Sequence, residues 1–259
     1  MHKTLLISEI FPPTNGGSGR WFWELYSRLS RSEYIIAAGQ AVGDGAFDKT
    51  HDLNVTRVNL TSSSWGIKSI TGLKFYWRVF NHIRKLIKQH KITTIHCGRC
   101  LPEGLIGYFF YKLYNIPYVC YIHGEDVEAA ATSRELSWIV KKVLANATTL
   151  ICNSQNTANL ILNNWQAAPD KTVILNPGCD TERFIPAEEN DGVKKPLGWQ
   201  GKRVVLTVGR LQKRKGQDML IRALPEIKKS IPDVLYAIIG GGSEKQELEV
   251  LTQKLGIED

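Results

Sequence analysis

Short runs of apolar residues alternate along the chain with segments in which apolar residues recur every three or four positions. The runs predict β-strands, and the longer spacing predicts helices that bury one face. The first two thirds of the chain hold seven predicted strands, at 3–8, 34–38, 54–60, 92–97, 118–123, 148–152 and 172–175. Helices are predicted at 73–90 and 103–114. Another helix is predicted from the apolar stripe Phe22, Leu25, Tyr26, Leu29, and a fourth begins at a capping box formed by Thr132 and Glu135. This alternation is typical of parallel strands joined by crossover helices.

The same pattern starts again after a polar, non-periodic stretch at 187–202. Strands are predicted at 203–208 and 234–239, and helices at 217–229 and 243–255. We therefore predict an α/β protein with a complete Rossmann-like, doubly wound parallel sheet over 1–180, a linker over 181–202 and a second Rossmann-like domain over 203–259. The second domain shows only its first βαβα units. Because two parallel strands are fewer than a sheet of this kind needs, we expect this chain to hold only part of the second domain.

Composition narrows the class of protein. With 43% hydrophobic and 22% charged residues in 259, the chain can bury a core, which excludes disordered and collagen-like classes. No apolar run predicts a signal peptide or a membrane span, and five scattered cysteines suit a reducing compartment, so we expect a cytoplasmic protein. The formal net charge of +8 favours an anionic partner. Nucleic acid is not predicted, because no nucleic-acid-binding motif accompanies the charge.

Two loops carry candidate binding residues. The first contains Gly16 and Gly17 and joins a strand to a helix, where glycines and a helix N-terminus can accommodate a phosphate or a sugar. The alternative is a plain turn, and a dinucleotide site is disfavoured because the loop lacks the spacing G-x-G-x-x-G. The second places Arg210, Lys215 and two further cations before a helix, where a bound diphosphate would offset their repulsion by the helix dipole. Its alternative is a solvated basic loop.

Five motifs in order give the chain a family resemblance. They are FPPTNGGSGR, YIHGED, LNPGCDTERFIP, VGRLQKRKGQDMLIRAL and IIGGGSEKQELE. Together they resemble the signatures of GT-B glycosyltransferases of the retaining family 4, a group that includes bacterial mannosyl- and glucosyltransferases of polysaccharide biosynthesis.

The resemblance implies transfer of a hexose from a nucleotide diphosphate sugar to a lipid-linked or glycan acceptor, with retention and without metal or other cofactor. It implies that Gly16 and Gly17 line the donor, that His123 is the catalytic-site residue beside the transferred sugar, and that Arg210 and Lys215 hold the diphosphate.

One departure from the family pattern bears on activity. The Glu-x7-Glu segment, whose carboxylates meet the donor in the family, would fall after Asp259. We therefore expect the 259-residue chain alone to be inactive. The alternative function is a catalytically incomplete remnant or an anion-binding module.

Four further residues and one helix are also candidates for a functional or structural role. Asp126 follows His123 closely and Trp23 lies off the core stripe of its helix, so both are candidate substrate contacts, with interdomain packing as the alternative for Trp23. Cys97 and Cys100 lack the partners of a metal site, which favours a structural role. In the acid-free stretch 53–102, the helix at 73–90 has one apolar face that includes Leu73 and Trp77 and one basic face. That helix is either packed on the core with a solvated face or peripheral on the inner, anionic face of a membrane.

Overall fold

The structure of the protein is a computed structural model that describes residues 2–185 and 191–258. It divides into two units, Met1–Cys179 and Asp180–Asp259. Part of the predicted linker, 186–190, lies outside the described residues.

The first unit is built on a parallel sheet of seven strands in the order β3-β2-β1-β4-β5-β6-β7. The strands are β1 Thr4–Ser8, β2 Tyr34–Gly39, β3 Val55–Val58, β4 Thr94–Cys97, β5 Tyr118–Ile122, β6 Thr149–Cys152 and β7 Thr172–Ile174. In register, Ile7 of β1 lies between Ala37 of β2 and Cys97 of β4. The strand order reverses between β1 and β4, which is the arrangement of a doubly wound fold.

Seven helices connect these strands. They are α1 Gly17–Tyr26, α2 Asp44–Thr50, α3 Ile70–His90, α4 Leu105–Tyr114, α5 Glu125–Ala131, α6 Arg134–Asn146 and α7 Gln155–Trp165. One core cluster lies between the sheet and helices α3 to α7, and a second packs α1 on the sheet through Phe22 and Tyr26. Both faces of the sheet therefore bear side chains that are fully buried.

The capping box predicted at Thr132 and Glu135 is wrong. Helix α6 starts one residue later, because Ser133 is its N-cap and its hydroxyl accepts from the Leu136 amide at 3.4 Å. Thr132 instead ends α5 and donates to the Ala129 carbonyl. The Glu135 carboxylate accepts from the amides of Ile67 and Lys68, both at 2.7 Å, and so fixes the loop before α3.

Helix α3 also differs from its prediction. Its N-cap Ser69 accepts from the Gly72 amide at 3.0 Å, so the helix begins three residues before the predicted start. Leu73 and Trp77, which the core-packed alternative would bury, are 54% and 73% exposed. The buried positions are Phe75, Tyr76, Val79, Ile83 and Leu86.

The second unit contains one βαβα run. Its elements are α8 Asp191–Lys194, β8 Arg203–Val208, α9 Gln217–Ser230, β9 Val234–Ile239 and α10 Lys245–Leu255. The two strands pair in parallel, and Leu211, Ile221 and Leu248 form their buried cluster. Helix α10 starts after Glu244 without a side-chain cap, two residues later than the predicted start at 243.

Candidate functional site

The predicted site residues of the first unit lie at the carboxyl edge of its sheet. The loops after β1 and β4 diverge there because the two adjacent strands continue to opposite sides of the sheet. In open α/β sheets a crevice of this kind is where ligands bind. The loop after β5, which starts at His123, lies beside the loop after β4.

His123 is half-buried and its ring position is fixed by the loop after β4. Its Nε2 is 2.8 Å from the Gly98 carbonyl oxygen. Because a carbonyl only accepts, Nε2 carries the hydrogen, and in the neutral ring Nδ1 is a hydrogen-bond acceptor. The rings of Trp21 and Phe22 meet the imidazole edge-on, with centroids 5.9 and 6.0 Å away. The ring is thus held in one orientation between α1 and Gly98.

Asp126 bridges the two neighbouring loops. One carboxylate oxygen accepts from the Cys100 amide at 2.8 Å and the other from the His123 amide at 3.2 Å. The residue is 6% exposed. Both oxygens are thus engaged by backbone amides within the fold, which fits a residue that positions His123 better than the substrate contact expected from the sequence.

An ion-pair network that the sequence analysis missed joins the loops after β1 and β4. Arg99 donates to the Glu103 carboxylate through Nε at 3.0 Å and to Glu9 through Nη2. Glu103 also accepts from the Glu9 amide at 2.9 Å and is 1% exposed. Burial raises the pKa of Glu9, while the neighbouring Arg99 opposes that shift.

The two predicted glycines lie at the start of α1. Gly16 is the N-cap, and a Cβ there would lie 2.6 Å from Ile10 Cγ2. Gly17 is exposed, and a Cβ there would have no atom within 4 Å. Their loop is held by Arg57, which donates to the Pro12 carbonyl at 2.6 Å and pairs with Asp48 through two bonds of 2.6 and 2.9 Å. Only Gly16 therefore has a reason within the fold to be small.

Trp23 is packed within the first unit. The Arg20 guanidinium lies 4.2 Å from its ring centroid, and the His51 ring meets it edge-on at 5.9 Å. Its Nε1 is buried and has no hydrogen-bond partner among the described residues. These contacts place Trp23 against its own helix and α2.

In the second unit, the loop after β8 presents the predicted cations. Lys213, Arg214 and Lys215 form a single helical turn before α9, and these three and Arg210 are exposed. Within residues 2–185 and 191–258, Arg210, Lys213 and Lys215 take part in no ion pair. Three exposed cations without a carboxylate partner, next to a helix N-terminus, can bind an anion.

Backbone contacts fix this loop to the loop after β9. The Leu211 amide donates to the Gly241 carbonyl at 3.0 Å, and the Gly209 amide to the Ile239 carbonyl at 2.9 Å. Gly240 has φ of 155°, and a Cβ there would lie 1.8 Å from the Gly209 carbonyl oxygen. Gln217, which no local sequence pattern singles out, is 3% exposed and donates to the Arg210 carbonyl at 3.2 Å.

The two cysteines of the Cys-x-x-Cys pair have the properties of structural residues. Cys97 and Cys100 are fully buried, and burial raises the pKa of both thiols. Across the described parts of the chain, no group of three or more His, Cys, Asp or Glu side chains is placed to hold a metal ion. In the same residues, no helix is long and apolar enough to cross a membrane.

Two family models match most of the chain. The model described as Glycosyltransferase Family 4 matches residues 15–183, and the model described as Glycosyl transferases group 1 matches residues 190–259. Each match falls mainly within one of the two units.

Curated relatives are similar over most of this chain but are longer. The GDP-mannose-dependent alpha-(1-6)-phosphatidylinositol monomannoside mannosyltransferase of Mycolicibacterium smegmatis is 27% identical over 98% of this chain and 64% of its own length. The D-inositol 3-phosphate glycosyltransferase of Corynebacterium aurimucosum is 27% identical over 70% of this chain and 46% of its own length. The chain thus spans less than two thirds of these relatives.

Solved structures share the fold. The Anabaena protein Alr3699/HepE in complex with UDP has a TM-score of 0.75 at 18% identity, covering 99% of this chain and 67% of its own. A glycosyltransferase from Rickettsia africae has a TM-score of 0.73 at 15% identity. This likeness confirms the predicted GT-B fold class.

Proposed function

Because the chain belongs to Glycosyltransferase Family 4, we propose that it transfers a hexose from a nucleotide diphosphate sugar to a lipid-linked or glycan acceptor. The names of the relatives favour GDP-mannose and an inositol-containing acceptor, whereas the Anabaena structure holds UDP. The donor panel for any assay should therefore contain both GDP- and UDP-sugars.

One observation carries the proposal most directly. Arg210 and Lys215 are exposed, form no ion pair within the described residues and precede the N-terminus of the 14-residue helix α9. An arginine fork, a lysine point charge and a helix dipole together suit a diphosphate and the charge that develops on it as it leaves. We propose that these groups meet the leaving-group charge without a metal ion, and that the reaction proceeds with retention.

We propose that His123 positions the transferred sugar. With its Nε2 hydrogen held by the Gly98 carbonyl, neutral His123 can accept a hydrogen bond from a sugar hydroxyl through Nδ1. Asp126 holds the His123 amide and therefore acts through His123. If the contact forms mainly in the transition state, His123→Ala will lower kcat more than it raises the donor KM.

Release of nucleoside diphosphate from a panel of nucleotide sugars tests the function. Arg210→Ala and Lys215→Ala should each remove a charge-assisted contact of about 1.5–3 kcal/mol, which lowers kcat/KM by about tenfold to hundredfold. The control is Lys229→Ala, which removes an exposed cation paired with Glu226 at the other end of α9. The assay applies to the 259-residue chain and to any longer reading frame in which this chain is found.

The outcomes separate the alternatives. The proposal is supported if both variants lower turnover and the control variant does not. Wild-type kinetics in both variants would exclude the diphosphate role. Nucleotide binding without release in every form assayed would favour the alternative, an anion-binding module or a catalytically incomplete remnant.

We also propose that α3 places the protein peripherally on an anionic membrane surface, on the cytoplasmic side. Ile70, Leu73 and Trp77 are 73%, 54% and 73% exposed on the helix that also bears exposed cations. These cations are Lys74, Arg78, Arg84, Lys85 and Lys88. Exposed apolar side chains beside cations are the pattern of an interfacial helix. This arrangement fits better than a solvated face, for which three exposed apolar residues are not needed.

Cosedimentation with vesicles that contain phosphatidylglycerol tests this contact. Binding should be strong at low salt and fall as salt screens the charges. Changing Lys74, Arg78, Lys85 and Lys88 to Glu should abolish it. A matched control makes the same charge change in the second unit, at Arg203, Lys228, Lys229 and Lys254. Equal loss of vesicle binding in both variants would show that binding depends on the net charge of the protein, and would exclude a specific role of α3.

A further inference from the structure

Glu9 and Arg99 meet at the crevice where the strand order of the first unit reverses. Glu9 is the first residue after β1, and Arg99 is the second residue after β4. Because the two loops diverge at this point, side chains on them face the position at which a doubly wound sheet binds its ligand. Glu9 begins the loop that also carries Gly16 and Gly17, but neither Glu9 nor Arg99 is among the residues to which the proposed function assigns a role.

The three charged groups of the network are not equally accessible. Glu103 is 1% exposed, and its carboxylate already accepts from Arg99 and from the Glu9 amide. The side chain of Arg99 is 16% exposed and that of Glu9 is 24% exposed. Of the three, Glu9 is the group that the network presents to solvent, while Glu103 fixes both Arg99 and the backbone of Glu9.

The network has an excess of negative charge. Two carboxylates share the single guanidinium of Arg99, and the buried Asp126 carboxylate lies on the neighbouring loop. A carboxylate held in this way accepts hydrogen bonds and repels a phosphate. A ligand group bound here should therefore carry hydroxyl donors and no negative charge.

An apolar ring adjoins the charged groups. The Arg99 guanidinium lies 5.4 Å from the ring centroid of half-buried Trp65. The loop that carries Trp65 is fixed by the Tyr76 hydroxyl, which donates to the Trp65 carbonyl at 2.8 Å. A few fixed polar groups beside an aromatic ring are the usual lining of a small-molecule site. A sugar or cyclitol ring suits it, because such rings carry both hydroxyl groups and apolar C–H faces.

We propose that Glu9 binds the hydroxyl groups of a neutral polyhydroxy part of the acceptor, a sugar or a cyclitol ring, and that Arg99 and Glu103 are its positioning residues. This inference rests on the proposed function, whose acceptor it describes further. Any phosphate of the acceptor then lies away from Glu9.

The test is saturation-transfer NMR of the 259-residue chain with three probes. Methyl α-D-mannopyranoside and myo-inositol are neutral, and myo-inositol 1-phosphate carries the anion. The neutral probes should receive saturation and the phosphate should receive less. Glu9→Gln should weaken neutral-probe binding by about tenfold, because it removes the charge from the hydrogen bond. Glu24→Gln is the matched control, because Glu24 on α1 is 24% exposed, as Glu9 is, and pairs with an arginine. This variant should bind as the wild type does.

Two further variants separate binding from folding. Glu9→Asp keeps the charge and shortens the reach, and Arg99→Lys keeps the charge but loses the fork that holds both carboxylates. Both should weaken neutral-probe binding while the unfolding midpoint shows a folded protein at the assay temperature. A purely structural network would lower the midpoint in these variants and leave binding by the folded fraction unchanged.

Three results would overturn the proposal: no saturation of either neutral probe, wild-type binding by folded Glu9→Gln, or stronger binding of the phosphate than of the neutral probes. The measurement needs no turnover. If nucleotide release fails but the neutral probes still bind in a Glu9-dependent way, the proposed glycosyl transfer is contradicted and the proposed binding site is still supported.

Discussion

Strands β1 and β8 are both short, mainly apolar runs, but their surroundings differ greatly. Leu5, Leu6 and Ile7 of β1 are fully buried, whereas Leu206 and Val208 of β8 are 51% and 71% exposed. Both strands pair in parallel, and each is followed by a loop that carries candidate binding residues. The comparison shows that an apolar run is enough to specify a parallel strand, while burial depends on what packs against it.

The difference comes from the cover on each sheet. In the first unit, helices pack on both faces of seven strands, and the strands lie within two large clusters of buried side chains. In the second unit, two strands carry a cluster of three fully packed residues, Leu211, Ile221 and Leu248. Because hydrophobic stabilisation scales with apolar area removed from water, the second unit is stabilised far less.

The largest expected effect is a contrast between two leucine truncations. Leu6→Ala in β1 should lower the free energy of unfolding of the first unit by about 2–5 kcal/mol, because it leaves a cavity in a packed core. Leu206→Ala in β8 removes a half-exposed side chain and should cost less than about 1 kcal/mol. Urea denaturation followed by probes specific to each unit measures both.

Amide exchange on the wild type provides the control for this contrast. Amides of β8 and β9 should exchange faster than those of β1 and β4, because a small core opens at a lower free energy. Similar protection in the two sheets, or a Leu206→Ala cost as large as that of Leu6→Ala, would show that β8 is covered in solution.

The second effect is a pH dependence confined to the first unit. Burial lowers the pKa of His96 from 6.5 to about 4, and its Nδ1 lies 2.8 Å from the Tyr26 hydroxyl. Burial also raises the pKa of that phenol, which remains protonated and donates to Nδ1. Below pH 6.5 the unfolded state binds a proton that the folded state does not. The free energy of unfolding should therefore fall by up to about 3 kcal/mol as the pH falls from 6.5 to 4.

His96→Gln is the control, since the amide can still accept from Tyr26 and does not titrate. Its free energy of unfolding should depend less on pH over this range than that of the wild type. The second unit, which has no histidine, should show no corresponding loss between pH 6.5 and 5.5. An unchanged slope in His96→Gln would mean that another group causes the acid sensitivity.

The fold could be predicted because its signals are local. Apolar runs marked all nine strands that the described residues form, and the bounds of β5 and β9 differ from the prediction by at most one residue. The capping-box prediction failed because a polar side chain can bind a distant partner as well as a local one. Glu135 matched a capping box but binds amides of a loop 67 and 68 residues earlier, which no local pattern reveals.

The candidate site was predictable to different degrees in the two units. The cation loop of the second unit is one sequence segment, so Arg210 and Lys215 could be singled out from a local cluster of cations before a helix, and the family resemblance suggested their role. The network of the first unit joins Glu9 to Arg99 across 90 residues, and it forms only because β1 and β4 are neighbours in the sheet. Strand order would have been needed to find it.

The smallest effects distinguish glycines that the fold needs from glycines that a ligand would need. Each unit offers a pair: a Cβ would meet backbone oxygen at 2.8 Å on Gly19 and at 2.2 Å on Gly242, but nothing within 4 Å on Gly17 or Gly241. Gly17→Ala and Gly241→Ala should therefore change the free energy of unfolding by no more than about 1 kcal/mol, with a stabilising sign where the backbone entropy of the unfolded chain falls. Gly19→Ala and Gly242→Ala should destabilise their own unit.

Nucleotide release then tests whether Gly17 contacts the donor. A methyl group on Gly17 meets no atom of the first unit, so any rise in the donor KM of Gly17→Ala must come from contact with the donor or from the approach of another part of the protein. We expect such a rise, because the N-terminus of α1 can bind a phosphate only if it can come close to the amides. Unfolding measured on the same sample shows whether the fold is intact. Wild-type kinetics in Gly17→Ala would place the donor away from this helix and leave the cation loop of the second unit as its binding site.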